Sequence, residues 1–124
     1  MMRKLPFTIT GVVVHGNSLG NTINVPTANI IPREDISGYD KGVYRSRVRV
    51  EEKEYDSITN LGIKPTVSDT GCVNAESFIK DFHADLYNRE ISVTLLEFVR
   101  PERRFASFEK LTEQIRKDIE ENLG

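Results

Sequence analysis

Glu76 is the carboxylate whose surroundings in the sequence most suggest chemistry. Strand spacing from Ala75 to Phe82 puts it on one face with Phe78 and Phe82, so an acid shares its side with two aromatic rings. Burial there disfavours the charged form and raises the pKa, which suits a general base taking a hydroxyl proton near neutral pH. A strand end in water would account for the same residue without chemistry. Thr27 and Asn29, one residue apart after Pro26, project to one side of an extended segment. Two neutral oxygens make a poor metal site alone; they become partners of Mg²⁺ where phosphate oxygens and water complete its shell. Capping a turn is the simpler use of such a pair. The run from Gly11 to Asn29 passes from a strand into a loop of small residues around Gly16 and Gly20. Backbone N–H groups in such a loop can approach an anion closely, although two glycines also serve simply to make turns. Arg100, Arg103, Arg104 and Phe105 stand just ahead of a helical pattern, a place that can receive an anionic or planar ligand when it is not merely a solvated loop.

Other chemistries lose their usual support. There is no G-x-x-x-x-G-K-[ST] loop, and no helix follows the glycines as a dinucleotide fingerprint requires. Neither a G-x-S-x-G elbow nor the D-F-G and H-R-D marks of protein kinases occur. His15 and His83 share no ligand spacing with Cys72, and that single cysteine cannot form an intrachain disulfide, in keeping with a reducing compartment. Asp81 and Asp85 are expected to be solvated or turn-forming.

The elements that must position these residues are mostly strands. Phe7 to His15 is dense in β-branched residues, and Val43 to Val50 alternates, with Tyr44, Ser46, Val48 and Val50 on one face and Arg45, Arg47 and Arg49 on the other. The charged turn from Glu51 to Glu54 leads into Tyr55 to Asn60, which predicts an antiparallel hairpin within a meander. Ala75 to Phe82 and Glu90 to Phe98 predict a second hairpin, joined through Asp85 to Arg89, where Asn88 is best able to take a left-handed conformation. Phe108, Leu111, Ile115 and Ile119 keep a helical period, with Ser107 as N-cap, Glu109 in the first turn and Gly124 at the end. Strands at short spacing and one late helix point to a small antiparallel barrel, since no crossover helices are available for a parallel sheet.

A chain of 124 residues with 38% hydrophobic and 29% charged side chains is expected to form one domain, 1–124. Its 17 basic and 19 acidic groups leave a net charge of −2, which disfavours a nucleic-acid backbone or an anionic membrane surface as partner. A barrel for single-stranded nucleic acid wants a basic groove interleaved with aromatics, whereas aromatics make up 8% here and Trp is absent. No apolar run approaches the roughly 20 residues of a membrane span, and the N-terminus lacks the apolar region of a signal peptide. A cytoplasmic monomer is the expectation.

Taken in order, several segments resemble the riboflavin kinase, or flavokinase, family over nearly the whole chain. They are Gly11 to Gly16, Pro26-Thr27-Ala28-Asn29, Lys41-Gly42-Val43-Tyr44, Asn60 to Thr66, Glu76 followed by Asp81-Phe82, Asp85-Leu86-Tyr87, and Arg100-Pro101-Glu102 with Phe105 to Glu109. The P-T-A-N tetrad is the most specific of them. The resemblance implies a six-stranded antiparallel Greek-key β-barrel with a C-terminal α-helix, transferring the γ-phosphoryl group of ATP to the 5′-hydroxyl of riboflavin to give FMN and ADP. It implies that Thr27 and Asn29 hold Mg²⁺ on the nucleotide phosphates and that Glu76 is the catalytic base. Gly16, Gly20, Asn21 and Pro26 would join them around the nucleotide, while Arg100, Glu102, Phe105 and Ser107 would help form the flavin pocket. Asn21 stands where the family usually has a basic residue, and Asn24 and Asn88 where it has Gly. Asn tolerates positive φ, so the turns at 24 and 88 are expected to survive, whereas Asn21 removes a cation near the phosphates. The alternative is a non-catalytic flavin- or nucleotide-binding module that kept the fold, against which the intact Thr27, Asn29 and Glu76 count.

Overall fold

A computed structural model describes residues 4–14, 27–63, 73–80, 86, 88–101 and 108–123. His15, Gly16, Gly20, Asn21, Asn24, Pro26, Cys72, Asp81, Phe82, His83, Asp85, Glu102, Arg103, Arg104, Phe105, Ser107 and Gly124, named above, lie outside the described residues.

Six strands, β1 (Phe7–Val12), β2 (Thr27–Ile30), β3 (Gly42–Val50), β4 (Lys53–Ile63), β5 (Val73–Ile79) and β6 (Glu90–Pro101), precede one helix, α1 (Phe108–Leu123). They form a single antiparallel sheet in the order β1-β6-β3-β4-β5-β2. The run β6-β3-β4-β5 is a Greek key: three strands in sequence, then a fourth returning beside the first. The sheet curls until its edges meet, with the Val14 N–H donating to the Asn29 carbonyl at 2.8 Å and the Arg33 N–H to the Thr10 carbonyl at 3.1 Å.

The β3 alternation behaves as its sequence predicts. Tyr44, Ser46 and Val48 are fully buried inside the barrel beside Ile9, Ile30, Leu61, Ile79, Ile91, Val93 and Leu95, while Arg47 and Arg49 on the other face are exposed. The interior also holds four hydroxyls in a chain, Ser57 to Ser46 (2.6 Å), Ser46 to Thr59 (2.7 Å) and Thr59 to Ser77 (2.8 Å), so each buried oxygen has a partner. The β3–β4 hairpin turns at Glu51, whose φ is 57°. Register shifts between β3 and β6 at Val43/Tyr44 and Arg45/Ser46 bend the sheet toward closure. Gly42 lies against β6 so closely that a Cβ there would stand 2.4 Å from the Arg100 carbonyl oxygen.

The second predicted hairpin does not form. β5 stops at Ile79 and pairs with β2 and β4, whereas β6 pairs with β1 and β3. The backbone ahead of β6 is already bonded to the continuation of β1: the Val13 N–H donates to the Arg89 carbonyl at 2.9 Å and the Asn88 N–H to the Val13 carbonyl at 3.0 Å. Asn88 has φ 67°, the left-handed conformation predicted for it, and turns the chain onto β1 instead of back onto β5.

The helix covers part of the outer wall, packing against β4. Ile115 is buried and Ile119 partly so, as the helical period predicts. Polar ties hold it as well. Lys80 Nζ donates to the Leu123 carbonyl at 3.0 Å, supplying a cation at a helix end whose own last turn has none. Arg100 grips Asp118 through Nη2 at 2.7 Å and Nε at 3.3 Å.

Candidate active site on the outer wall

Directly opposed residues of antiparallel neighbours point to the same face, so register alone assembles a site from residues far apart in sequence. Asn29 on β2 faces Glu76 on β5, Glu76 faces Asn60 on β4, Asn60 faces Val43 on β3, and Val43 faces Arg100 on β6. Ser77, Thr59, Leu61 and Tyr44 alternate with this row and are fully buried inside, so the row belongs to the outer wall. Thr27 and Phe78 form the next pair on the same face. With strands about 4.8 Å apart, Arg100 lies three strands, or about 14 Å, from Glu76 along the row.

Glu76 is 9% exposed and Asn29 4%, and the Oε2 oxygen of Glu76 is buried. The Asn29 carbonyl is turned toward β1, where Val14 donates to it. Asn29 and Glu76 therefore form the non-hydrogen-bonded kind of antiparallel pair, in which side chains stand closest, with Cα atoms about 4.5 Å apart. Phe78 on the same face is buried, as strand spacing predicts, although the strand ends before Phe82. Asn74, two residues before Glu76, donates from Nδ2 to the Asn29 Oδ1 at 3.1 Å and so orients that amide. Gly62 stands opposite Asn74 on β4, leaving its amide uncrowded from that side.

The donors on β2 suit a hard cation that brings its own anions. Among the described residues no three His, Cys, Asp or Glu side chains gather as a metal cluster, and the Thr27 hydroxyl and Asn29 amide are neutral oxygens one pleat apart on the face of Glu76. Asn29 Oδ1 retains a second lone pair beside the bond from Asn74. Such a set fits Mg²⁺ carried on phosphates and would be too weak for the bare ion.

Of the predicted site residues, the structure thus brings Thr27, Asn29 and Glu76 together and sets Arg100 at the far end of the same row. Arg100 also serves the fold, because its guanidinium is held by Asp118. Sequence reasoning quoted Asn60 only as the start of a family segment and gave neither it nor Asn74 a place in this row. Period two in β5 places Asn74 on the Glu76 face and was a usable signal; Asn60 required the β4–β5 register, which no local pattern contains.

Together these features define a class of small Greek-key barrels whose polar row lies on the outer, helix-flanked wall. Among solved structures, a chain of Streptococcus pneumoniae described as a macrolide-efflux protein matches 96% of this chain and 39% of its own length with TM-score 0.83 and 31% identity. The riboflavin kinase of Trypanosoma brucei matches 94% of this chain and 77% of its own with TM-score 0.65 and 25% identity. The family model for flavokinase, described as riboflavin kinase, matches residues 3–123, and the chain belongs to that family. Among curated relatives, the RNA-binding riboflavin kinase RibR of Bacillus subtilis (strain 168) is 41% identical over 111 residues, 90% of this chain and 47% of that protein. The bifunctional riboflavin kinase/FMN adenylyltransferase of Escherichia coli (strain K12) is 43% identical over 114 residues, 91% of this chain and 36% of its own length. The chain therefore spans less than half the length of these two relatives.

Proposed function

We propose that the chain phosphorylates riboflavin, transferring the γ-phosphoryl group of ATP to the 5′-hydroxyl. The observation that carries this reading is the closely spaced pair of Glu76 with Asn29, with Thr27 on the same face. Glu76 accepts the proton of the ribityl 5′-hydroxyl as its oxygen forms a bond to the γ-phosphorus and the bond from that phosphorus to the β–γ bridging oxygen breaks, releasing ADP. Such a transfer requires positioning and charge stabilisation more than covalent chemistry from the protein. Thr27 and Asn29 would hold a Mg²⁺ ion that offsets the charge of the phosphates when bound. Asn74 keeps the Asn29 oxygen turned for that purpose. On this reading Gly16, Gly20, Asn21 and Pro26 lie by the nucleotide, and the stretch from Arg100 through Glu102, Phe105 and Ser107 borders the flavin.

The row's composition supports this arrangement: oxygen donors at one end, a carboxylate beside them, then uncharged residues leading toward β6. Incubating the purified chain with riboflavin and ATP, with and without Mg²⁺, and separating the flavins by chromatography tests it. Metal-dependent FMN with one ADP per FMN is the expected result. Riboflavin bound by folded protein without FMN at any ATP concentration would make the chain a binding module instead.

A further inference from the structure

The polar row contains one side chain that neither the proposed chemistry nor the fold uses. Asn60 lies directly between Glu76 and Val43, on the path from the carboxylate toward Arg100. It is partly buried. Nevertheless, its amide makes no side-chain hydrogen bond among the described residues, in contrast to Asn74, which is engaged with Asn29, and Asn122, which is engaged with the Asp118 carbonyl. Neither polar atom of that amide is both buried and unbonded, so the Asn60 amide is open to solvent and within reach of a ligand.

The chemistry of that position is specific. An amide presents one strong acceptor and two donors, which complement a hydroxyl that both donates and accepts. It carries no charge and so offers an anionic group no counter-charge. Val43, the next residue of the row, is apolar and buried. The position one strand from the base, about 4.8 Å along the row, therefore suits an uncharged, hydroxyl-bearing chain that runs from the reacting oxygen toward β6. We infer that Asn60 is a specificity residue that hydrogen-bonds a secondary hydroxyl of the substrate's ribityl chain and so selects a polyol chain over a plain alkyl one. This rests on the proposed phosphorylation of riboflavin.

The test compares two substrates in each of three proteins. One substrate is riboflavin; the other is the same flavin ring carrying a 5-hydroxypentyl chain, which keeps the terminal hydroxyl and lacks the secondary ones. Wild type is expected to favour riboflavin in kcat/KM by about 10- to 100-fold, since a site built to bond a hydroxyl is left unsatisfied by an analogue lacking it. N60L and N60A are expected to lose most of that preference while the KM for ATP stays near its wild-type value. Because the ratio is taken within one protein, a variant that folds poorly lowers both substrates together and leaves the ratio intact. A wild-type preference retained in N60L and N60A would overturn the assignment of Asn60. A wild type that phosphorylates neither flavin would instead overturn the kinase reading beneath it.

Discussion

At the scale of single residues, the site turns on one acid placed where an acid is expensive. Glu76 sits beside buried Phe78 and opposite nearly buried Asn29. On the proposed reading Glu76 accepts the hydroxyl proton, and the amide in Glu76→Gln removes that capacity at almost no change in volume. The variant is expected to keep its thermal midpoint close to wild type while kcat for FMN formation falls by about 100-fold or more, the usual contribution of a positioned base. Near-normal turnover in a folded variant would assign the proton to another group. Glu76 was legible in the sequence because period two exposed the anomaly of an acid among rings. Thr27 and Asn29 were legible as a same-face pair, although only register shows that Asn29 adjoins Glu76. That Asn60 adjoins Glu76 and Asn74 adjoins Asn29 was not legible, because a polar residue alternating along a strand looks like ordinary solvent-facing surface until its cross-strand neighbours are known.

At the scale of elements, what could be read was whatever depends on local period. The helix follows from its apolar spacing, and the β3–β4 hairpin from alternation broken by a charged turn. The erroneous β5–β6 hairpin shows the limit: both segments are strands, and Asn88 does turn the chain, yet the partner is chosen by Val13, some seventy-five residues upstream of that turn. Non-local pairing leaves no mark in the local pattern of either strand. Docking of α1 is likewise non-local and depends on a buried pair, since the Asp118 side chain is 4% exposed and the Arg100 side chain 17%. Gln114 Nε2 adds a third donor to Asp118 at 3.0 Å. Asp118→Ala would take the carboxylate away from a largely buried guanidinium and is expected to lower unfolding free energy by about 3 kcal/mol, the cost of breaking a buried pair on one side. Urea denaturation followed by circular dichroism measures it, and a loss within about 0.5 kcal/mol would show that the pair contributes little to docking the helix.

At the scale of the whole molecule, the site depends on closure of the barrel. β2 is only four residues long, and it carries both Thr27 and Asn29. Its one full ladder is with β5, so the seam with β1 is the other support that keeps those residues beside Glu76. Gly11 permits the seam, because a Cβ there would meet the Ile30 Cβ at 3.0 Å and the Ile31 carbonyl oxygen at 3.1 Å. Glu34 then fastens it, accepting from the Thr10 N–H at 2.7 Å and the Thr10 hydroxyl at 2.6 Å, where β1 would otherwise present an open edge. Burial pushes the Glu34 carboxyl up, but the bonds from the Thr10 hydroxyl and N–H, its own backbone N–H and the charge of Arg33 outweigh it and hold the group below its ordinary value. A carboxyl depressed by folding stabilises the native state fully above its unfolded pKa and loses that contribution as pH falls through the lower folded value. Wild type is therefore expected to exceed Glu34→Gln in urea stability near neutral pH, with the gap closing as pH falls through and below the ordinary carboxyl range. In the same variant, hydrogen exchange at the Thr10 amide is expected to quicken at neutral pH, because the seam opens more often once its ionised acceptor is gone. A stability gap that did not narrow as pH fell below the ordinary carboxyl range would mean that the ionised carboxylate does not hold the seam, and the β1 side of β2 would then be held by the Val14–Asn29 and Arg33–Thr10 backbone bonds.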